Sequence, residues 1–191
     1  NRDAMRAIAV KAGRDGQYYF GTNPCSEIIL RPDQFCNLST VVVQADDTLE
    51  SLSRKIEMAT VIGTVQSTFT HFPYLDTNWV QNCVDERLLG VSMTGIFDNK
   101  LMSGLHGYGK LRHTLESLRE TAVKTNLDWA QRLGINPSKS ITCIKPEGTT
   151  SCLASSASGL HPRYSQYYYR RVRIDKKDPL YMLMRDCGVP V

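Results

Sequence analysis

Among its 191 residues the chain has no Cys-x-x-Cys pair, only four histidines and two tryptophans. It also has no apolar run approaching the roughly 20 residues that a membrane-spanning helix requires. A zinc site is therefore not expected, since such sites draw on closely spaced cysteines and nearby histidines. The charged start, Asn1-Arg2-Asp3, is no secretory signal, and no membrane partner is expected. Six cysteines do not amount to a disulfide scaffold, because such scaffolds are short, cysteine-dense and secreted, so a reducing cytoplasm is the expected location. There is no internal repeat and no low-complexity linker. Charge of one sign is scarce: the net +4 is dispersed except at Arg170, Arg171, Arg173, Lys176 and Lys177. That surplus is a weak pointer to nucleic acid and suits a small anion equally well.

What is present suffices for one domain with a buried core. The chain nevertheless starts without methionine and stops at Gly188-Val189-Pro190-Val191, so both ends look cut, as in an internal fragment or a split-gene product. Helical spacing from Asp3 to Arg14 ends at Gly16. Ile28-Ile29-Leu30 is expected to run extended, and the β-branched stretch from Leu38 to Val43 predicts a strand. Asp47 or Thr48 should cap a long helix with Leu49, Leu52, Ile56, Ala59, Ile62 and Val65 on its buried face. Val91 to Phe97 reads as a strand, Lys110 to Leu133 as a second amphipathic helix with Leu111, Leu115, Leu118, Ala122, Trp129 and Leu133 on one side and Gly134 as its stop, and Ile141 to Ile144 as a compact buried strand. Strand, helix, strand, helix, strand is the order of a parallel sheet and an α/β fold.

The densest chemistry lies in Asn23-Pro24-Cys25-Ser26-Glu27, followed by Phe35-Cys36-Asn37-Leu38. Proline fixes its own φ and pushes Asn23 into extended conformations, which places Cys25 at the tip of a connection. A thiol held in a loop between an amide and a carboxylate is not placed like a packing residue, whose neighbours are usually apolar. From the two cysteines alone, ordinary buried thiols or half of a metal site remain open. Further along, Lys145-Pro146-Glu147-Gly148-Thr149-Thr150-Ser151 follows a strand and should open a helix whose N-H groups and hydroxyls suit phosphate oxygens, although a plain N-cap has the same appearance. Glu147 would repel a polyphosphate unless it turns away or pairs with Lys145, so it is not counted among the phosphate ligands.

These segments, with Asp85-Glu86-Arg87-Leu88-Leu89-Gly90-Val91-Ser92-Met93-Thr94-Gly95-Ile96, Ser158-Gly159-Leu160-His161-Pro162 and Tyr168-Tyr169-Arg170-Arg171, resemble in order the ribonucleotide reductases over nearly the whole chain. The short interval between Cys25 and Cys36 is similar to the adenosylcobalamin-dependent, monomeric class II ribonucleoside-triphosphate reductases. The resemblance implies a ten-stranded α/β barrel, incomplete in this chain. Residues 1–191 would be a single partial domain, with a finger loop at about 21–38 and the second half-barrel.

The resemblance implies reduction of ribonucleoside triphosphates to 2′-deoxyribonucleotides for DNA synthesis. Cys25 would carry a thiyl radical generated with adenosylcobalamin. Glu27 would be the general base on the 3′-hydroxyl, Asn23 would hold the ribose hydroxyls, and Cys36 would be one of two reducing thiols. Substrate contacts would extend to Pro24 and Ser26, and to Gly148, Thr149, Thr150 and Ser151 at the phosphates. The implied partners are the remaining part of the same enzyme and a thioredoxin-like reductant, with no direct nucleic-acid contact. The partner thiol of Cys36 is implied to lie in the first half-barrel, which makes the fragment inactive alone. His161 with Pro162 could line the corrin or substrate face, but a solitary histidine is more often structural, and it is not assigned as a cobalt ligand. Tyr167, Tyr168 and Tyr169 beside Arg170 and Arg171 imitate a nucleic-acid surface, although alternate rings buried in a strand are the simpler expectation. Cys83, Cys143, Cys152 and Cys187 are expected to be packing thiols. Three rivals are a metal-radical (class I type) large subunit, whose second thiol lies further from the first, a glycyl-radical reductase, whose motif is not seen, and a non-catalytic domain with a vestigial loop.

Overall fold

A computed structural model describes residues 2–169 and 171–190; Asn1, Val191 and Arg170, one of the cations singled out above, lie outside the described residues. Helix α1 (Arg2–Lys11) leads into a hairpin of two short antiparallel strands, β1 (Gly21–Thr22) and β2 (Ile29–Leu30). Strand β3 (Asn37–Val42) follows, then α2 (Leu49–Gln66), α3 (Thr77–Glu86) and β4 (Leu89–Thr94). After a single 3-10 turn at Ile96–Asp98 come α4 (Tyr108–Leu133), the four-residue α5 (Thr150–Leu153) and α6 (Pro179–Asp186). No helix among the described residues is long and apolar enough to cross a membrane.

β3 and β4 pair in parallel from Asn37 opposite Leu89 to Val42 opposite Thr94, as the strand-helix-strand order predicts. The residues predicted as a compact third strand instead make one parallel bridge, between Val91 and Thr142. Leu89 N donates to Ser140 O and Val91 N to Ile141 O, so the pairing slips by one residue within this stretch. With no further strand outside it among the described residues, Thr142 stays exposed. β4 also ends earlier than predicted, because Gly95 takes φ +80° and turns the chain into the 3-10 turn.

Alternation along the strands gives the sheet two different faces. Val41, Val43, Leu89, Val91 and Met93 form one buried core with Leu52, Ile56 and Ala59 of α2 and Leu118 and Ala122 of α4. The periodicity placed Ile62 and Leu115 on the buried sides, yet both are exposed. Thr60, Gly63 and Thr64 of α2, and Thr114, Thr125 and Asn126 of α4, take the interior instead. Small and polar residues serve there because their side chains are satisfied locally. Thr60 and Thr64 hydroxyls donate to carbonyls one turn back, and Asn126 Nδ2 donates to Thr64 Oγ1 at 2.9 Å. Thr48 caps α2 by a reciprocal pair: its hydroxyl accepts from Ser51 N at 3.2 Å, and Ser51 Oγ accepts from Thr48 N at 3.0 Å. Such a cap is worth about 1 kcal/mol.

The opposite face carries Cys36, Leu38 and Thr40 beside Gly90, Ser92 and Thr94. Gly90 lets three side chains close over the strand: a Cβ there would lie 2.4 Å from Leu38 Cδ2, 3.1 Å from Cys143 Sγ and 3.2 Å from Ile28 Cδ1. The root of the hairpin therefore lies on this polar face of the sheet, away from the helices. Helices α3 and α6 were not anticipated from the sequence.

Candidate active site

The hairpin presents its tip through strong local chemistry. Thr22 is opposite Ile29, and residues 23–28 form the turn. Asn23 closes it three times, through its N-H to Ile28 O at 3.2 Å, its carbonyl accepting from Ser26 N at 2.9 Å, and its side-chain Oδ1 accepting from Ile28 N at 2.9 Å. Ser26 adopts φ +63° to complete the reversal. Cys25 is consequently exposed at the apex, flanked by exposed Pro24 and Ser26. Because Asn23 Oδ1 is occupied by the loop itself, its Nδ2 is the group placed to address a ligand. Glu27 is half-buried, and its Oε2 is shielded from solvent with no hydrogen-bond donor in contact. A carboxylate oxygen in that state is satisfied by a hydroxyl donor.

Cys36 is half-buried at the foot of β3. Burial pushes its thiol far up, reinforced by Cys143 and Glu27 and opposed by Arg14. Cys143, predicted to be a packing thiol, is half-buried on the same face, its pKa pushed up to about 12 by burial and the nearby Glu27. Both thiols are thus protonated at neutral pH and are proton donors rather than thiolates. Cys83 conforms to the packing expectation; it is buried and its sulfur accepts from Phe35 N at 3.3 Å. Cys152 and Cys187 do not, since both are exposed. Cys152 lies in the four-residue α5 and Cys187 just past the end of α6, and neither is covered.

The turn after residue 144 settles beside this face. Glu147 has φ +49° and points inward at 7% exposure, pairing with Lys145 Nζ at 3.0 Å and accepting from the Thr40 hydroxyl. Burial alone would raise its pKa, but hydrogen bonds from Thr40, Lys145 and Thr150 outweigh burial and hold it below the usual carboxylate range. The carboxylate is thus buried and paired with Lys145, the arrangement that offsets the repulsion considered above. Gly148, Thr149 and Thr150 are exposed, whereas Ser151 is buried, its N-H donating to Glu147 O at 3.0 Å. The helix expected to open here is the four residues of α5. Next to the turn lies a cleft of about 450 Å3, lined by Gly148, Ser151, His161, Arg163, Tyr168 and Arg171 among others. Arg163 is held there by Asp98 at 2.8 Å. The tyrosine expectation fails: Tyr167, Tyr168 and Tyr169 are all exposed and lie in no strand.

Sequence reasoning did not find a buried ionic cluster behind the hairpin. Glu86, 1% exposed, accepts from Arg14 Nε at 2.9 Å, Arg14 Nη2 at 2.7 Å and Gln34 Nε2 at 2.8 Å, and pairs with Arg31 Nη2 at 3.0 Å. The signal was faint, because Arg14 and Glu86 stand 72 positions apart.

The fold recurs in solved proteins. The chain overlays on a B12-dependent (class II) ribonucleotide reductase with TM-score 0.70 and 26% identity, covering 88% of this chain and 26% of that one. In sequence it is 31% identical over 201 residues to the adenosylcobalamin-dependent ribonucleoside-triphosphate reductase of Lactobacillus gasseri, covering 93% of this chain and 26% of that protein. The chain is similar to a segment of the adenosylcobalamin-dependent ribonucleoside-triphosphate reductases. The reductase of the same description from Levilactobacillus brevis is 29% identical over 197 residues, covering 90% of this chain and 26% of its own length. The chain thus spans about a quarter of the length of the curated relatives it matches. The class Id ribonucleotide reductase alpha subunit of Actinobacillus ureae shares the fold, with TM-score 0.62 and 20% identity over 98% of this chain and 39% of that one. No protein-family model matches the sequence.

Proposed function

We propose that the chain supplies the finger loop, at about 21–38, and the second half-barrel of a ten-stranded ribonucleotide-reductase barrel, and that the assembled enzyme reduces ribonucleoside triphosphates. The observation that carries this reading is the apex position of Cys25, with Asn23 Nδ2 and the unsatisfied Glu27 Oε2 on the same turn. A ribose offers hydroxyl donors and acceptors that match these groups.

The residues act as follows. Cys25, as a thiyl radical, takes the hydrogen atom from C3′ while Glu27 accepts the 3′-hydroxyl proton. The 2′-hydroxyl leaves as water with a proton from Cys36, whose high proton affinity keeps it in the donor form. Two thiols, Cys36 and one outside this chain, supply the two electrons and end as a disulfide; the proton of one leaves in the water, the hydrogen of the other forms the new C2′–H bond, and Glu27 returns its proton to the 3′-oxygen. Cys25 finally returns its hydrogen to C3′, so that one ribonucleotide and two thiols give one deoxyribonucleotide, one water and one disulfide. The exposed sulfur fits an adenosylcobalamin group, because a bulky cofactor can approach it without displacing any apolar cover. No side chain of this chain is assigned to hold that group, whose chemistry when bound is removal of the hydrogen atom from the Cys25 thiol. The exposed Gly148, Thr149 and Thr150, with Ser151 supporting the turn from beneath, receive the substrate phosphates. A thioredoxin-like protein of a reducing cytoplasm re-reduces the complete enzyme.

Cys25→Ser in the assembled enzyme tests the proposal. A hydroxyl cannot replace the thiyl, so deoxyribonucleotide formation should vanish while substrate binding persists. Unchanged turnover would refute it and favour a vestigial loop.

A further inference from the structure

Ligand sites of parallel sheets lie beyond the carboxyl ends of their strands. Beyond the end of β4 the chain builds the cleft next to Gly148, and its walls are fastened to the strand. Thr94 Oγ1 donates to Ala157 O and accepts from Gly159 N, both at 2.9 Å. Gly95 N donates to Ala157 O at 2.8 Å, and Ala157 N donates to Asp98 Oδ2 at 2.7 Å. Ser158 Oγ donates to Pro146 O at 2.6 Å, which ties the same loop to the turn that carries Gly148. At Gly159, φ +53°, a Cβ would lie 2.6 Å from Lys145 O, so the absence of a side chain lets loop and turn approach this closely.

Cations are held on this frame. Arg163 Nε donates to Asp98 Oδ1 at 2.8 Å, and Nη2 donates to Asp98 Oδ2 at 3.1 Å and to Ser155 O at 2.6 Å. The Tyr164 and Tyr168 rings, with centroids 5.0 Å apart, join the segment bearing Arg163 to the one bearing Arg171. Both arginines line the cleft, and among the described residues no Asp or Glu lines it. The carboxylates of Asp98 and Glu147 are already paired, with Arg163 and Lys145, so Arg171 gives the cleft an excess of positive charge. Its volume of about 450 Å3 is that of a small-molecule site.

We propose that this cleft is the subsite for the outermost phosphate of the substrate, with Arg171 as the residue that separates triphosphates from diphosphates. The assignment rests on the reading of the turn at Gly148, Thr149 and Thr150 as the receiver of the substrate phosphates, and extends it into the cleft that the turn borders. A triphosphate carries one more phosphate, and its charge, than a diphosphate. The turn can offer that group N-H donors and hydroxyls, whereas a guanidinium offers paired planar donors and a compensating charge.

Isothermal titration calorimetry of the 191-residue chain with inorganic tripolyphosphate and with pyrophosphate, at one ionic strength, reads the subsite directly. Tripolyphosphate should bind several-fold more tightly than pyrophosphate. Arg171→Gln should abolish most of that preference, and Arg171→Lys should retain part of it. Arg173→Gln removes the same charge from an exposed residue that does not line the cleft, and should leave the preference intact. Because Arg171 is itself exposed, its replacement takes nothing from the core. No binding or equal binding of the two anions by the wild type, a preference that survives Arg171→Gln, or an equal loss in Arg173→Gln overturns the proposal. In the assembled enzyme Arg171→Gln should raise KM for ribonucleoside triphosphates several-fold more than for diphosphates, and a uniform rise would also overturn it. An Arg171-dependent preference in an assembled wild-type protein that reduces no ribonucleotide would uphold the anion subsite and count against the reductase reading alone.

Discussion

Replacing Glu86 by alanine removes the acceptor for four close contacts, from Arg14 Nε at 2.9 Å, Arg14 Nη2 at 2.7 Å, Gln34 Nε2 at 2.8 Å and Arg31 Nη2 at 3.0 Å. At about 1.5–3 kcal/mol for each charge-assisted bond, a simple tally overstates the loss, because freed guanidinium groups recover hydration. Arg14 and Arg31 both border an open polar cleft, so water can reach them once the carboxylate is gone. The better measure is a buried ion pair deprived of one partner, which costs about 3–5 kcal/mol. For a chain of this size that is a fall in Tm of roughly 6–20 °C. Thermal unfolding followed by far-ultraviolet circular dichroism reads it, with urea titration as a check. In the Glu86→Ala background, adding Arg14→Met should cost much less than in the wild type, because the same bonds are already lost. A loss under about 1 kcal/mol, or additive effects, would refute the claim that the charges are buried and mutually dependent.

Gly95→Ala should destabilise the fold by about 2–4 kcal/mol, from left-handed backbone strain and overpacking together. Its Cβ would sit 2.4 Å from the Val43 carbonyl oxygen at φ +80°, a backbone clash that no rotamer change relieves; a Tm within 2 °C of wild type would contradict this. Acid should weaken the fold in a defined direction. Glu86, Glu147, Asp47 and Asp98 are all held below their ordinary values by hydrogen bonds and cations that outweigh burial. Their stabilisation is fully present above the ordinary carboxylate range, near pH 4, and is lost as pH falls through the lower folded-state values. Urea midpoints flat from pH 7 to 5 and falling below about pH 4 are expected; a rise on acidification would show the sign to be wrong.

Much of the architecture was legible because it is local. Proline after Asn23 puts Cys25 at a turn, Asp47 or Thr48 marks the start of α2, Gly134 ends α4, and β-branched residues from Leu38 to Val43 specify a strand. What periodicity misjudged were positions where burial depends on a distant neighbour. Ile62 and Leu115 are exposed, while Thr64 and Asn126 are buried because each satisfies the other across two helices. The five-residue motif around Cys25 stood out from residue types alone, yet the occupation of Asn23 Oδ1 by Ile28 N is visible only in the folded turn.

The β3–α2–β4 order with its parallel pairing and the turn at Cys25 follow from short-range rules of φ, ψ and alternation, which a string of residues carries by itself. Placement of Cys143 on the Cys36 face, the inward turn of Glu147 onto Lys145 and Thr40, and the pairing of Arg14 with Glu86 were decided by tertiary structure. Each depends on a charge or a sulfur meeting partners brought near only when the sheet forms. Such energies fall off with distance in space, and distance along the chain does not reveal it.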